Sequence, residues 1–346
     1  MSTVNLALTC LPVTGIGEIG AGDDVAALIQ GAHPLAEGDV LVVTSKVVSK
    51  AEGRVVASGK EAVLADETDR VVARRGGTWI VRTHHGLVLA AAGIDASNTE
   101  LGTLVLLPVD PDGSAREIRA RIARDGKGPN VAVVVTDTLG RAWRHGQTDV
   151  AIGAAGIEVL HDYAGTPDGY GNQLAVTAPA VADEIAGAAD LVKGKLDRSP
   201  AAVLRGLGNL VLPRGVHGPG ARELVRGEGS DMFGFGAREA VLAAVQSDPR
   251  DLRGFGTAAS SVDLVAVLRA ICPSAAVVVS EGGQGPTTAS VEVHLTAGSG
   301  EDAQRSLGGN EARVTFVAFS MGWTCQEPTD PVSGTDVALR FCASTP

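Results

Sequence analysis

The residues with the clearest chemical potential follow an apolar run that ends at Val135. Val131 to Val135 are apolar and mostly β-branched, as in a strand that is buried on both faces. Asp137 and Thr138 come next, and Arg141 follows a glycine. Carboxylate and hydroxyl oxygens are hard ligands for Mg²⁺ or Mn²⁺, and a guanidinium group offers paired donors to phosphate. The pattern favours a divalent cation that holds a polyphosphate, although an ordinary strand end capped by polar residues has the same pattern.

A second carboxylate has a similar context in the sequence. Asp95 ends the apolar run 90–94 and precedes a small polar turn that contains Asn98. Two such aspartates, brought together, would coordinate a cation, and without one they would disfavour each other's ionisation. Taken alone, Asp95 also fits an Asx turn.

Two further segments offer groups that could bind phosphate. Gly15 to Gly20 has the spacing GxGxxG, which in a dinucleotide-binding fold opens a helix onto a pyrophosphate. Asp23 and Asp24 follow, where an anion would have to lie, so a plain turn or a generic nucleotide loop fits equally well. The run 44–50 contains two lysines and three hydroxyls at a predicted strand end, with solvated surface lysines as the alternative. The sequence contains no P-loop.

The elements that must position these residues are mixed strands and helices, which predicts an α/β (mixed α+β) fold. We predict strands at 5–13, 40–44, 78–83, 86–92, 131–135 and 201–205. We predict helices at 24–30, 61–75, 114–123, 179–193 (capped by Thr177) and 237–246. The remaining segment predicts a helix at 262–271 and strands at 275–280, 290–296 and near Val314 and Val337. A boundary at 247/248 then separates a large domain, 1–247, from a small α+β appendage, 248–346.

Composition restricts the classes of partner. The 346 residues are 45% hydrophobic and 20% charged, which predicts a globular chain with a buried core. The net charge of −11 argues against a nucleic-acid groove, because phosphate backbones need a basic surface. No apolar run has the length of a membrane span, and the N-terminus lacks the features of a signal peptide. The four cysteines show no CxxC spacing. We therefore expect a cytoplasmic protein that binds neither nucleic acid nor membrane.

Several of these strings together resemble the coenzyme F420:L-glutamate ligase family. The resemblance runs in unbroken order over roughly residues 4 to 245. The matching strings are Gly15–Ile19, Gly38–Gly53, Ala92–Asn98, Thr136–Arg144, Gly146–Asp149, Asp168–Asn172, Ala182–Ala186 and Leu191–Lys195. The resemblance implies addition of L-glutamate, through γ-linkages, to the lactyl-phosphate tail of a deazaflavin precursor, F420-0, with GTP as co-substrate. By the chemistry of such ligases, the γ-phosphoryl group of GTP would activate the substrate carboxylate as an acyl phosphate.

The resemblance also implies roles for individual residues. The metal ligands would be Asp95, Asp137 and Thr138. The contacts to GTP would come from the loop Ile16, Gly17, Glu18 and Ile19, and from Ser45, Lys50 and Asn98. Asp95 and Asp137 would act in catalysis together with Arg141. The candidates for contacts to a substrate phosphate or carboxylate are Arg141, Arg144, Lys193 and Lys195. The implied metals are Mg²⁺ or Mn²⁺, with K⁺ as a further candidate, and we expect a homodimer.

Two other functions are compatible with the same residues. An NADP-dependent oxidoreductase would use the loop 15–20, with Ser45 and Lys46 contacting a 2′-phosphate. A GTP-binding regulator would hold the nucleotide without ligating glutamate. Residues 248–346 are too short for the flavin-binding nitroreductase-like domain fused to some relatives, and they lack its flavin-phosphate motif. The sequence assigns no role to this appendage.

Overall fold

The chain folds into two compact units, Met1–Val225 and Arg226–Pro346. The computed structural model describes residues 7–97, 99–194, 199–227, 229–281, 289–296, 303–326 and 336–344. The domain boundary at 247/248 stays a prediction, and the two compact units divide earlier in the chain, after Val225. Within the described ranges, every helix is too short or too polar to cross a membrane.

The described part of the first unit contains ten strands and five α-helices, numbered in chain order. The strands are β1 (Thr9–Val13), β2 (Val40–Thr44), β3 (Val55–Val56), β4 (Thr68–Arg75), β5 (Thr78–Thr83), β6 (Val88–Ala90), β7 (Leu104–Val105), β8 (Ala132–Gly140), β9 (Gln147–Ala155) and β10 (Ala201–Arg205). The helices are α1 (Val25–Ala32), α2 (Ser45–Ala51), α3 (Lys60–Asp66), α4 (Pro111–Ala123) and α5 (Val181–Lys193).

A five-stranded mixed sheet forms the centre of the first unit, with the strand order β1-β10-β2-β8-β9. β2 and β8 are parallel, and Thr44 pairs with Thr136 at the end of their shared register. The other neighbours are antiparallel. β8 and β9 extend beyond the end of β2 as a two-stranded arm, since β8 continues to Gly140. The smaller sheets are β4-β5-β6 and β3-β7.

Both faces of the central sheet are covered by helices. Alternate residues of β2 and β8 enter two different cores, as the pleat of a strand requires. Leu41, Val43, Val133 and Val135 pack with α1, α2 and α4 on one face. Val40, Val42, Ala132 and Val134 pack with α5 on the other face. The uninterrupted apolar runs in the sequence are explained by burial on both sides, and the predicted α/β class is confirmed.

The second unit is an α+β layer, as predicted for the appendage. Its helices are α6 (Ala237–Gln246), α7 (Ser261–Ile271) and α8 (Ala303–Ser320). Its strands are β11 (Ala276–Glu281), β12 (Ala289–Thr296), β13 (Trp323–Gln326) and β14 (Asp336–Ala343). They form an antiparallel sheet in the order β11-β12-β14-β13, with α7 and α8 sharing its apolar core. The order helix, strand, strand therefore occurs twice, and the second strand of each set lies at the centre.

Several predicted elements differ in the structure, and each difference has a local cause. The helix predicted at 61–75 ends at Asp66, and residues 68–75 form β4, where Arg74 stacks 3.4 Å from the centroid of the Trp79 ring on β5. This cross-strand contact stabilises the strand conformation. The periodicity of residues 61–75 does not show the contact, because Trp79 lies outside that segment. The helix predicted from 179 begins at Val181, and its N-cap residue is Ala180, without a side-chain cap from Thr177.

Two further expectations near apolar runs are also wrong. The strand predicted near Val314 is part of α8, where Leu307, Val314 and Ala318 are buried at helical spacing against the second sheet. The segment 45–50, expected as a strand end, is the helix α2. The first strand begins at Thr9 rather than Asn5, and residues 1–6 lie outside the described residues.

Candidate functional site

A cavity of about 330 Å³ in the first unit is lined by all three predicted metal ligands, Asp95, Asp137 and Thr138. It lies beyond the end of β2, beside the part of β8 that continues past that strand. Ligand sites in α/β sheets are commonly located at the carboxyl ends of parallel strands, and this cavity has that position for the β2/β8 pair. Residues that line it and bear on its chemistry are Ser45, Lys46, Asp95, Ser97, Asp137 and Thr138.

Ser45 connects α2 to the strand that carries Asp137. It is the first residue of α2 and is 3% exposed. Its hydroxyl donates a hydrogen bond of 2.9 Å to Asp137 Oδ1. The parallel register of β2 and β8 explains the contact, because the end of β2 lies opposite Thr136, one residue before Asp137. Ser45 thereby fixes the orientation of this carboxylate in the cavity.

Asp137 is a carboxylate in an environment that disfavours its charge. Burial raises the pKa of Asp137 to about 6, and the negative charges of Asp149 and Asp95 add to the increase. The hydrogen bonds from Ser45 and the Thr138 backbone oppose it. A divalent cation would reverse this balance, because it would stabilise both neighbouring carboxylates at once.

Asp95 is presented by a tight turn rather than by the end of a strand. After β6 the chain makes a 3₁₀ turn at Ala91–Gly93, where Ala91 and Ala92 have φ values of +50° and +54°. Asp95 then forms an isolated bridge with Val105. Asp95 lines the cavity, and the strand predicted at 86–92 is shorter, because it ends at Ala90 before this turn.

Asp95 is already bound by several donors. Lys46 Nζ lies 2.6 Å from Asp95 Oδ2. The Ser97 backbone N–H donates to Oδ1 at 2.6 Å, and the Ser97 hydroxyl donates to Oδ2 at 3.0 Å. Burial pushes the pKa of Asp95 upward, but the hydrogen bonds from Lys46 and Ser97 outweigh it and hold the pKa below its usual value. Asp95 is therefore ionised at neutral pH.

Thr138 departs from the expected arrangement. Adjacent residues of a strand point to opposite faces, so Thr138 lies on the α5 face while Asp137 lies on the α2 face. The Thr138 hydroxyl donates to Asp149 Oδ1 at 2.7 Å. The hydroxyl therefore does not lie beside the Asp137 carboxylate, which the sequence pattern had suggested. A cation shared with Asp137 would have to use another oxygen of Thr138 or a displaced side chain.

A buried ion pair behind Thr138 was missed by the sequence analysis. Lys193 Nζ lies 2.5 Å from Asp149 Oδ2 and donates to the Thr136 hydroxyl at 2.9 Å. The Thr136 hydroxyl donates to Asp149 Oδ2 at 3.0 Å, and Asp149 and Lys193 are each 4% exposed. Burial raises the pKa of Asp149, but the charge and hydrogen bond of Lys193 outweigh it and lower that pKa. The ammonium that we expected at a substrate anion is instead enclosed in this network.

The remaining predicted site residues that the structure describes lie outside the cavity lining. Within the loop, Ile16 and Ile19 pack on the core of the first unit, while Gly17 and Glu18 are exposed. Lys50 forms an ion pair with Glu18, which ties α2 to this loop. Asn98 lies outside the described residues. The exposed Arg141 donates to the His145 carbonyl oxygen at 3.1 Å, near the tip of the β8-β9 arm.

The loop does not have the geometry of a dinucleotide-binding turn. α1 begins at Val25, and the Asp24 side chain caps it by accepting from the Ala27 N–H at 3.1 Å. Asp23 accepts from the Gly20 N–H at 2.8 Å. Carboxylates therefore occupy the position at the start of the helix where a pyrophosphate would bind. The structure gives no support to the oxidoreductase alternative.

The residues of the cavity fit a hard divalent cation better than a soft one. Within the described residues there is no cluster of three or more His, Cys, Asp and Glu side chains that could hold a metal. Mg²⁺ and Mn²⁺ sites commonly use one or two carboxylates and complete their coordination with substrate phosphates and water. Asp95 and Asp137 supply such a pair on the wall of one cavity.

Comparison with known proteins found matches to one family. The family model described as F420-0:Gamma-glutamyl ligase matches residues 15–63 and 58–206. The coenzyme F420:L-glutamate ligase of Methanothermobacter thermautotrophicus is 39% identical over 229 residues, which are 58% of this chain and 90% of the relative. The relative of the same name from Archaeoglobus fulgidus is 40% identical over 245 residues, or 64% of this chain and 94% of the relative. The relative of the same name from Methanopyrus kandleri is 40% identical over 245 residues, which are 64% of this chain and 96% of the relative.

Proposed function

The chain belongs to the F420-0:Gamma-glutamyl ligase family, and on this basis we propose that it ligates L-glutamate to the coenzyme F420 precursor F420-0, with γ-linkages joining any further glutamate to the first. We further propose that GTP supplies the energy. The observation that carries the proposal is the cavity that both Asp95 and Asp137 line, in a chain that is about 40% identical to ligases of this name over most of their length.

An amide forms from a carboxylate only after activation. A carboxylate oxygen of F420-0 would attack the γ-phosphorus of GTP, which gives an acyl phosphate and GDP. The glutamate amine would then attack the acyl carbon, lose a proton and displace inorganic phosphate. These steps need positioning and charge stabilisation rather than a protein nucleophile. The absence of a nucleophile–histidine pattern in the sequence agrees with this scheme.

The residues of the cavity would have distinct roles in this reaction. Asp95 and Asp137 would hold Mg²⁺ or Mn²⁺, with Thr138 as a third ligand. Such a cation neutralises charge on the transferred phosphoryl group. Ser45 would keep Asp137 in place through its hydrogen bond of 2.9 Å. The nucleotide would be contacted by the loop 16–19, Lys50 and Asn98. The ion pair of Lys50 with Glu18 supports this, because it holds α2 and the loop next to each other.

The test is a reconstituted ligation. The full chain is incubated with F420-0, L-glutamate, GTP and Mn²⁺, and products are identified by mass spectrometry. We expect a product one glutamate residue heavier, which is lost on chelation of the metal and in Asp95→Asn and Asp137→Asn. Asp66→Asn, the same change at an exposed aspartate of α3, should retain activity. ATP in place of GTP tests the nucleotide, and addition of K⁺ tests the monovalent ion.

The outcomes separate the alternatives. GTP binding without turnover would indicate a regulator, and NADP binding without a metal requirement would indicate an oxidoreductase. Normal turnover of Asp137→Asn at limiting Mn²⁺ would show that this carboxylate is not a ligand. The expected homodimer is tested independently by light scattering of the purified chain.

A further inference from the structure

Lys46 is a charged residue of the cavity to which neither the sequence nor the comparisons assign a role in ligation. It is the second residue of α2, and its side chain is 21% exposed. Its ammonium contacts Asp95 Oδ2 at 2.6 Å, the Ser97 carbonyl oxygen at 2.9 Å and the Ser97 hydroxyl at 2.9 Å. All three groups belong to the turn that presents Asp95. Lys46 thus binds the carboxylate that we propose as a metal ligand.

A cation and this ammonium cannot share Asp95 without competition. The Asp95 Oδ2 atom receives both Lys46 and the Ser97 hydroxyl, while Oδ1 receives the Ser97 N–H. A divalent cation on the same carboxylate would lie close to the lysine charge, and like charges repel. Asp137 has no such cationic partner among its described contacts, since its hydrogen bond comes from the neutral Ser45.

We propose that Lys46 is a counterion of Asp95 that a divalent cation displaces, and that its released ammonium then contacts an anionic oxygen of a substrate in the same cavity. This inference rests on the proposed function. The oxygen belongs either to a phosphate of GTP or to the carboxylate of F420-0, because both are anionic and both must approach the cation. The lysine has a flexible stem and three donors, which suits such an exchange of partners.

The proposal predicts an unusual direction of change, in that removing a site residue strengthens metal binding. Mn²⁺ affinity of the full chain is measured by the electron paramagnetic resonance signal of free Mn²⁺, without nucleotide. Lys46→Met keeps the length of the side chain and should bind Mn²⁺ about 10-fold more tightly, or about 1.4 kcal/mol. Lys46→Arg keeps the charge and should stay within about 3-fold of the wild type. Lys127→Met, at an exposed lysine outside the cavity, should leave both Mn²⁺ affinity and ligation unchanged.

The same variants test the second half of the proposal. At saturating Mn²⁺ we expect Lys46→Met to ligate glutamate at least about 10-fold more slowly or with a higher KM. A higher KM for GTP assigns the contact to phosphate, whereas a higher KM for F420-0 assigns it to the carboxylate. Circular dichroism confirms folding, and Lys46→Gln, which still donates hydrogen bonds but lacks charge, should bind Mn²⁺ as Lys46→Met does.

Two results would overturn the inference, and they can be distinguished. If Asp137→Asn weakens Mn²⁺ binding while Lys46→Met and Lys46→Gln leave it unchanged or weaken it, Lys46 only supports the Asp95 turn. If the wild type binds no Mn²⁺, the proposed metal site is wrong, and the role of Lys46 is excluded with it.

Discussion

The buried ion pair of Asp149 and Lys193 allows a quantitative test of how the site is supported. Lys193→Met replaces the ammonium by an apolar group of similar length. Among the described residues, the carboxylate of Asp149, 4% exposed, would then keep the hydroxyls of Thr136 and Thr138 as its hydrogen-bond donors. Removing one member of a buried pair typically destabilises a protein by about 3–5 kcal/mol, because a charge is left without compensation. This is a large part of the roughly 5–15 kcal/mol that stabilises a folded protein.

The double variant Asp149→Asn/Lys193→Met separates charge balance from packing. It removes both charges while it preserves most of the volume, and it should recover to within about 1–2 kcal/mol of the wild type. The assay is urea denaturation followed by circular dichroism, together with hydrogen exchange of peptides from β8 and β9 to assign the effect to the first unit. The exchange measurement is needed because the chain has two compact units.

The pH dependence gives a second signature. In the wild type, the lowered pKa of Asp149 stabilises the fold above its ordinary value of 3.8, and this contribution is lost as pH falls through the folded pKa. In Lys193→Met burial dominates, so the pKa of Asp149 should be raised and the penalty should shrink as the pH falls toward 5. A variant within 1 kcal/mol of the wild type at pH 7, with unchanged hydrogen exchange, would refute the reasoning.

Three further predictions follow from the same site. In EDTA, Asp137→Asn should increase the free energy of unfolding at pH 7 by about 1–3 kcal/mol, and an unchanged urea midpoint would contradict this. The reason is that the Asp137 carboxyl group has a pKa of about 6 in the folded wild type, so stability falls as the pH rises from 3.8 toward 6. Lys50→Ala should weaken GTP binding about 10- to 150-fold in calorimetry, and unchanged affinity would show that Lys50 does not contact the nucleotide. A chain that ends at Val225 should retain Mn²⁺ and GTP binding, because every proposed contact precedes that residue. If the shortened chain folds but binds neither, part of the site belongs to the second unit.

The central sheet could be predicted because its signal is local. The uninterrupted apolar runs at Val40–Thr44 and from Val131 onward are strands that are buried on both faces, and β-branched residues are enriched in such strands. Asp137 was identified for the same reason, since it follows the apolar run of such a strand, whereas Asp95 follows an apolar run that forms a 3₁₀ turn rather than a strand. The α2 helix was missed because Val47 and Val48 favour a strand locally, whereas their burial against the sheet favours the helix.

The buried ion pair of Asp149 and Lys193 could not be predicted from local signals in the sequence. Asp149 and Lys193 are 44 residues apart in sequence and meet only because α5 packs on the face of the sheet that carries Thr136. No periodicity within either segment indicates this contact. The face on which Thr138 lies is set by the alternation of side chains along β8. The sequence does not show that β8 continues past the end of β2 to Gly140.

The turn before Asp95 has a consequence for the order of events in assembly. Ala91 and Ala92 adopt left-handed backbone conformations, each of which costs an L-residue roughly 1–2 kcal/mol. The turn persists because Ala92 is buried and because Asp95 bridges to Val105 on a strand formed later in the chain. An unfolded chain would therefore rarely hold this carboxylate in its final orientation. A cation would load onto an already folded unit, unlike the metals of small domains whose binding drives folding.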